Sequence, residues 1–243
     1  MTVFTSLKPE GSPRIREVQD AARTNWRARF GVEPVAFAGE PPEFSEVVRR
    51  GADAADADGV ILYANADVLF GEEVRRVVAW CRAQEEDFLV VGRRTDLLPD
   101  GRRVVHRPSG MDYFFFRRGM FRDLPRTVVG RAYYDCALLA HCLRRGIRVI
   151  DASGVLEVEH QWHDYGHVAG GRAEVFSGEA AVANKRNNAL RDFGPHLADV
   201  AWRFVREGEG LKVVPKRVPL LRRLGCRRLW NLLTRGGRLG ESF

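Results

Sequence analysis

The run Val60–Ala64 (VILYA) constrains the fold of this chain more than any other stretch, because it is apolar or aromatic throughout and ends abruptly at Asn65 and Asp67. An uninterrupted run of this length is typical of a strand that is buried on both faces of a parallel α/β sheet. In open α/β sheets, ligands bind just beyond the carboxyl ends of the strands. The run therefore places Asn65 and Asp67 where a metal or a phosphorylated ligand would bind, although both residue types also suit an ordinary turn.

Strand-like and helical segments alternate along the first half of the chain. Residues 2–5, 34–38 and 88–91 are rich in β-forming residues, and the apolar residues of 13–30 and 74–81 recur at helical spacing. This alternation predicts one α/β domain with a mostly parallel, doubly wound, Rossmann-like sheet flanked by helices.

The second half of the chain is less regular. Residues 96–108 combine proline, glycine and charges and predict a loop or a flap. The remaining pattern predicts strands at 111–116, 148–151 and 155–158 and helices at 178–193 and 196–206. Residues 130–135 lead into a further predicted helix that ends at about 145. We place the domain at residues 1–210 and a basic helical tail at 211–243.

The charge is positive and unevenly distributed. The formal net charge is +7, and residues 212–238 are crowded with Lys and Arg and contain no acid. A basic surplus suits nucleic acid, anionic lipid or a phosphorylated substrate. No RNA-binding motif is present, so we expect no nucleic-acid partner. The tail suits either peripheral contact with an anionic membrane surface or packing against the domain, and the sequence leaves both open.

The sequence also bears on location. It contains no apolar run of about 18 residues and no signal-peptide pattern at its start. The four cysteines are scattered without a CxxC pair, which favours free thiols in a reducing compartment. These features predict a cytoplasmic protein, with the inner face of the membrane as an alternative position for the basic tail.

A histidine cluster is the second candidate for chemistry. Three of the six histidines, His160, His163 and His167, lie within eight residues directly after a predicted strand. Imidazole is the commonest protein ligand for borderline metals. With Asp67, the cluster would supply a mixed carboxylate–imidazole site that suits Mn²⁺, and Mg²⁺ less well because Mg²⁺ prefers oxygen ligands.

Two further carboxylates are notable. Asp135 stands at the entrance to a predicted helix, where it either caps free N–H groups or acts in a site. Asp112 opens an apolar strand, so its charge needs a partner. The chain has no GxGxxG, GxxxxGK[ST] or GxSxG motif, which argues against a dehydrogenase, a P-loop NTPase and an α/β-hydrolase.

Taken in order, these segments resemble the GT-A-fold nucleotide-diphospho-sugar glycosyltransferases over roughly residues 1–195. The likeness is to a family-2-like branch with DYFxF, GRxxxD and HQxHDYxH blocks. The matching blocks are Tyr63–Asp67, Asp112–Phe116, Gly130–Asp135, Ile150–Ala152 and His160–His167.

The resemblance implies a metal site and a base. In that family a DxD motif binds a divalent ion that bridges the phosphates of the donor. Here Asn65 replaces the first Asp, so the resemblance assigns the ion, Mn²⁺ or Mg²⁺, to Asp67 with His160 or His163. Asp135 matches the acidic residue that acts as the base in inverting members, although Tyr134 stands where the family usually has Glu.

The resemblance also implies a donor pocket. It places Thr5 and Lys8 along the nucleotide and phosphates, with Asn65 beside them. Lys8 or Arg93 would stabilise the negative charge of the departing diphosphate. Arg131 would either bind a phosphate or pair with Asp135.

The implied function is a metal-dependent glycosyltransferase that moves a sugar from a nucleotide-diphosphate donor to a hydroxyl of a glycan or another acceptor, with inversion. One alternative is a nucleotidyltransferase on a similar sheet, although no glycine-rich basic loop follows the first strand. The other is a non-catalytic protein that binds a glycan or an anionic surface, and Asn65 in place of an acid favours it.

Overall fold

The computed structural model describes residues 1–8, 13–37, 42–54, 59–165, 167–219 and 222, without the side chains of 51–54. The strands in chain order are β1 Thr2–Ser6, β2 Val35–Phe37, β3 Val60–Ala64, β4 Val68–Phe70, β5 Phe88–Val91, β6 Thr95–Leu97, β7 Arg103–Val105, β8 Tyr113–Arg117, β9 Arg148–Asp151, β10 Val158–Gln161, β11 Trp202–Glu207 and β12 Gly210–Pro215. The helices are α1 Pro13–Phe30, α2 Phe44–Ala54, α3 Val74–Arg82, α4 Tyr134–Arg144, α5 Gly171–Ser177 and α6 Glu179–Asn187, with a 3₁₀ helix at Leu197–Asp199.

An eight-stranded sheet in the order β12-β11-β9-β5-β8-β3-β1-β2 forms the centre of the protein. All its strands run parallel except β8 and β12. The chain leaves β1 toward β2 on one side and returns to β3 on the other, so the strand order reverses at β1. The prediction of a single α/β domain with a mostly parallel sheet is confirmed.

Helices cover both faces of this sheet. Along β3, Ile61 and Tyr63 face a cluster formed with α2 and α4, whereas Val60 and Leu62 face a cluster formed with α1 and α3. Every residue of β3 is buried. Burial on both faces explains why this strand is an unbroken apolar run rather than an alternating one.

A second sheet, in the order β4-β10-β6-β7, was not predicted. The expected loop or flap at 96–108 is instead the antiparallel hairpin of β6 and β7, and this prediction was wrong. The residues of β6 are half-buried and those of β7 are exposed. Such strands bury no continuous face, so they carry little of the apolar alternation from which a strand is recognised.

Two further predictions in the second half of the chain were also wrong. The expected helix at 196–206 is the 3₁₀ helix followed by β11, which pairs with β9. Leu197, Val200 and Phe204 are buried and spaced three and four residues apart, which imitates the period of a helix. The strand expected at 155–158 begins instead at Val158, because Val155 and Leu156 turn back to the Ala152 carbonyl.

The helical segment expected at 178–193 is shorter than predicted. It is α6, which ends at Asn187, and α5 precedes it.

Much of the predicted tail lies outside the described residues. Residues 211–215 belong to β12, which pairs along its whole length with β11. Buried Arg222 bonds both carboxylate oxygens of Asp199, at 3.0 and 2.7 Å, and lies 2.8 Å from His196 Nε2. Residues 220, 221 and 223–243 are not described, so the helical tail and its membrane contact stay predictions. Among the described helices, none has the length and apolarity needed to cross a membrane.

Candidate active site

The candidate site lies at the carboxyl ends of β1 and β3, where the strand order reverses. Lys8 follows β1, and Asn65 and Asp67 follow β3. Ligands of open α/β sheets bind in the crevice at such a reversal, because the adjoining connections diverge to opposite faces of the sheet. The topology therefore brings these side chains to the position expected for a ligand.

Asp67 is the centre of the site and is 2% exposed. Its Oδ2 contacts the Lys8 ammonium and lies 2.9 Å from His163 Nε2 and 3.6 Å from His160 Nε2. Burial acts to raise the pKa of Asp67, but Lys8 and the two histidines outweigh it and hold this pKa well below its usual range. Asp67 is thus a carboxylate at neutral pH and is surrounded by groups that favour its charge.

The second sheet brings the histidines to Asp67. Strand β10 runs antiparallel to β4, with His160 opposite Val68, and Gln161 N–H donates to the Asp67 carbonyl at 2.9 Å. His160 therefore lies in a strand and not in the loop expected from the sequence. His163 follows two residues after this strand and folds back over the same carboxylate.

The tautomer of His163 is set by its neighbour. His163 Nδ1 lies 2.6 Å from the Asp164 carbonyl oxygen, which can only accept, so the proton is on Nδ1. His163 Nε2 faces both Asp67 Oδ2, at 2.9 Å, and the Lys8 ammonium, at 2.7 Å. A backbone carbonyl on the far nitrogen is a common way to orient a metal-binding imidazole.

The residues present fit a divalent metal ion. One ligand atom each from Asp67, His160 and His163 can be chosen so that all lie within 4.8 Å of one another. Asp67 Oδ1 is buried and has no hydrogen-bond partner among the described residues, so an acceptor is left over at this point. A donor set of one carboxylate and two imidazoles suits Mn²⁺ better than Mg²⁺.

A further carboxylate, Asp96 in β6, stands behind His160. Asp96 Oδ1 lies 3.6 Å from His160 Nδ1 and accepts from Arg94 Nε at 2.8 Å, and Oδ2 lies 2.6 Å from His106 Nδ1. Burial acts to raise the pKa of Asp96, but His106 and Arg94 outweigh it and lower this pKa. The hairpin of β6 and β7, expected to be a loop or a flap, thus brings a carboxylate to the far side of the His160 imidazole.

Asn65 is engaged by protein partners. Its Nδ2 donates to Asp112 Oδ1 at 2.7 Å, and its Oδ1 accepts from Tyr134 OH at 2.9 Å. Arg94 donates to the other Asp112 oxygen at 2.6 Å. The pairing of Ala64 with Tyr113 places Asn65 opposite Asp112. The buried Asp112, which was expected to need a partner, therefore has two: the Asn65 amide and the Arg94 guanidinium.

Asp135 is half-buried in the first turn of α4. Its Oδ1 accepts from Cys136 N–H at 2.8 Å. Burial raises the pKa of Asp135 to about 6, with a contribution from the charge of Asp112. Tyr134 connects the start of this helix to Asn65. Asp135 therefore follows directly after a residue that bonds the end of β3 and feels the charge of Asp112, and its pKa suits a general base near neutral pH.

The other predicted donor residues differ in their placement. Thr5 is fully buried, and its hydroxyl has no hydrogen-bond partner among the described residues. The Arg93 side chain is exposed, and the backbone N–H of Arg93 donates to Ser153 Oγ at 2.8 Å. Arg131 donates to the Gly130 carbonyl at 3.2 Å. Their roles toward a donor stay predictions.

Sequence reasoning missed several residues of the site. Arg94 reaches Asp112, and Asp96 and His106 extend the network. His167, the third histidine of the predicted cluster, packs edge-on against His163 at 5.7 Å, and burial, with the charge of Lys8, lowers the pKa of His167 to about 4. For Arg94, the signal in the sequence was the buried Asp112, which required a cationic partner.

No protein-family model matches the sequence, and no curated protein matches it. Among solved structures, similar chains include glycosyltransferases. A Drosophila beta-1,4-galactosyltransferase 7 mutant, in complex with manganese, UDP-Gal and xylobiose, is 12% identical with a TM-score of 0.44, covering 89% of this chain and 95% of that chain.

Two other similar structures are more distant. A glycosyltransferase involved in glycosylation of the major capsid of PBCV-1 is 10% identical with a TM-score of 0.31, covering 59% of this chain and 66% of that chain. HddC from Yersinia pseudotuberculosis is 9% identical with a TM-score of 0.28, covering 52% and 81%. At this level of similarity none of the three assigns a substrate or a residue role to this chain.

Proposed function

We propose that this chain is a metal-dependent glycosyltransferase that moves a sugar from a nucleotide-diphosphate donor to a hydroxyl of a glycan or another acceptor, with inversion. The observation that carries the proposal is the convergence of Asp67, His160 and His163 at the reversal of the sheet. A base candidate, Asp135, follows Tyr134, whose hydroxyl bonds Asn65 at the end of β3.

The donor side of the reaction rests on charge. Sugar transfer passes through an oxocarbenium-like state while negative charge grows on the departing diphosphate. A divalent ion held by Asp67, His160 and His163 would stabilise that charge. Lys8 follows β1, where the donor phosphates would bind, so its ammonium is a further cation within reach of the diphosphate.

The acceptor side rests on Asp135. A carboxylate with a pKa of about 6 is mostly ionised at pH 7 and still basic enough to take the proton of an attacking hydroxyl. One base that activates the acceptor for direct attack on the sugar gives inversion at the anomeric carbon. The proton leaves the acceptor oxygen for Asp135, the new glycosidic bond forms, and the bond from the sugar to the diphosphate breaks.

A second candidate is a non-catalytic protein that binds a glycan or an anionic surface. It is favoured by Asn65, since both ends of this amide are engaged by Asp112 and Tyr134 and the first acid of a DxD motif is missing. This candidate predicts no sugar transfer and no dependence of binding on Asp135.

A thermal-shift screen of UDP- and GDP-sugars, with and without Mn²⁺ or Mg²⁺, tests the proposal. We expect stabilisation by a nucleotide sugar only when a divalent ion is present, and loss of this effect in Asp67→Ala. Asp100→Ala, which removes an exposed carboxylate at the tip of the β6–β7 hairpin, is the matched control and keeps it. Stabilisation by no nucleotide under any metal condition would favour the second candidate.

The base is tested separately. Asp135→Asn should lower the transfer rate by about 10²–10⁴-fold while donor binding stays nearly unchanged. Asp123→Asn is the control, because Asp123 is exposed and pairs with Arg145 away from the site. Loss of donor affinity in Asp135→Asn would place this residue in the nucleotide site instead.

A further inference from the structure

The Lys8 ammonium is bound by the same two atoms that a metal would use. Lys8 Nζ contacts Asp67 Oδ2 and lies 2.7 Å from His163 Nε2, and these two acceptors lie 2.9 Å apart. His163 Nδ1 donates to the Asp164 carbonyl, so in the neutral ring the Nε2 lone pair is available to accept from the Lys8 ammonium. In this structure the Lys8 ammonium therefore occupies the point where Asp67 Oδ2 and His163 Nε2 would hold a metal.

The ammonium and a divalent ion exclude each other at this point. Both would bind the lone pairs of Asp67 Oδ2 and His163 Nε2. An ammonium and a metal ion bound to the same two atoms would lie so close together that they would repel each other strongly. Binding of a metal by Asp67 and His163 therefore displaces Lys8 Nζ and has to offset the loss of its ion pair.

Hydrogen bonds hold the backbone of Lys8 in place, whereas its side chain can turn to another rotamer once its contacts with Asp67 and His163 are broken. Gln19, which is buried, accepts from the Lys8 N–H at 2.7 Å and directs its own amide to the Lys8 carbonyl at 3.5 Å. The Lys8 side chain is 18% exposed and has a flexible four-carbon stem. When displaced, the ammonium stays within reach of anions that enter the crevice.

We propose that Lys8 is a displaceable cation that couples metal binding to nucleotide binding. It occupies the metal ligands in the resting protein, and it moves to the donor diphosphate when the ion takes Asp67 and His163. This inference rests on the proposed function, because it takes that metal site and that donor class as given. Metal and nucleoside diphosphate then bind with positive coupling, each tightening the other by the same factor.

The test compares Mn²⁺ binding to the wild type and to Lys8→Met, first alone and then with UDP, by electron paramagnetic resonance of the free ion. Lys8→Met keeps the length of the side chain and removes its charge. Lys8→Gln is a second variant that retains a donor for Asp67 and guards against loss of folding. Lys212→Met, which removes a charge in β12 that pairs with Glu207, controls for net charge.

We expect Lys8→Met and Lys8→Gln to bind Mn²⁺ alone about tenfold more tightly than the wild type, because no ion pair has to be broken. In both variants the tightening of Mn²⁺ binding by UDP should be smaller than in the wild type, and Lys212→Met should match the wild type. Equal or weaker Mn²⁺ binding in both Lys8 variants would overturn the inference while leaving the metal site intact. Absence of Mn²⁺ binding in every chain, with or without UDP, would overturn the metal site as well.

Discussion

Asn65 and Asp112 face each other across strands β3 and β8, with Asn65 Nδ2 2.7 Å from Asp112 Oδ1. The amide at position 65 is therefore complementary to the carboxylate opposite it. An acid at position 65, as in a DxD motif, would set two carboxylates against each other in a buried place. Arg94 is already committed to Asp112 and to Asp96.

Asn65→Asp should destabilise the protein rather than complete a metal motif. We expect the free energy of unfolding to fall by about 2 kcal/mol at pH 7, because a hydrogen bond is replaced by repulsion between like charges. Urea unfolding measures this change. The double variant Asn65→Asp with Asp112→Asn exchanges the two groups and should recover most of the loss. No recovery in the double variant would show that position 65 has another role.

The pH dependence of transfer should follow Asp135. Its pKa in the folded protein is about 6, above the usual 3.8, so the basic form is lost as the pH falls through 6. We expect kcat/KM to fall about tenfold per pH unit below pH 6. A rate that stays constant down to pH 5 would exclude Asp135 as the base.

Protonation of Asp135 should lower the rate of transfer but raise the free energy of unfolding. A carboxyl whose pKa is raised by folding binds its proton more tightly in the folded state, so protonation adds stability that is complete below about pH 4 and lost as the pH rises through 6. Relative to Asp135→Asn, the wild type should therefore gain stability as the pH falls from 6 to 4. Urea unfolding of both proteins across this range measures the difference, and a constant difference would contradict the raised pKa.

Asp96 should tune the metal site without being one of its ligands. Asp96→Asn removes the anion behind His160 Nδ1, and we expect Mn²⁺ affinity to fall by about tenfold or more. Isothermal titration calorimetry with Mn²⁺ measures it. Asp100→Asn, on the same hairpin and exposed, should leave the affinity unchanged. Equal affinity of Asp96→Asn and the wild type would mean that His160 needs no support from β6.

The sequence predicts the parts of this protein that repeat a regular pattern. The apolar run of β3 predicts a central strand, because a strand that is buried on both faces is apolar throughout. The end of the run marks the carboxyl edge of the sheet, where Asp67 lies. The histidine cluster is equally visible as an unusual local composition. How Asp67 and the histidines meet is not visible, because it depends on the pairing of β4 with β10 across almost ninety residues.

Long-range pairing also explains the errors. The buried residues of 196–206 have helical spacing, but the later part of this segment forms β11 because it pairs with the edge of β9. The cationic partner of Asp112 could not be identified from local sequence either. Only the positions of β5 and β8 show that Arg94, and not its neighbour, faces Asp112.

Coordination of the ion itself is the most direct test of the central claim, that Asp67, His160 and His163 hold a divalent metal. Pulsed electron paramagnetic resonance of Mn²⁺ bound to protein with ¹⁵N-labelled histidine, in the presence of UDP, detects imidazole nitrogens on the ion. We predict two coupled imidazole nitrogens in the wild type and one in His160→Gln or in His163→Gln. Bound Mn²⁺ with no imidazole coupling in the wild type would contradict this account of the site.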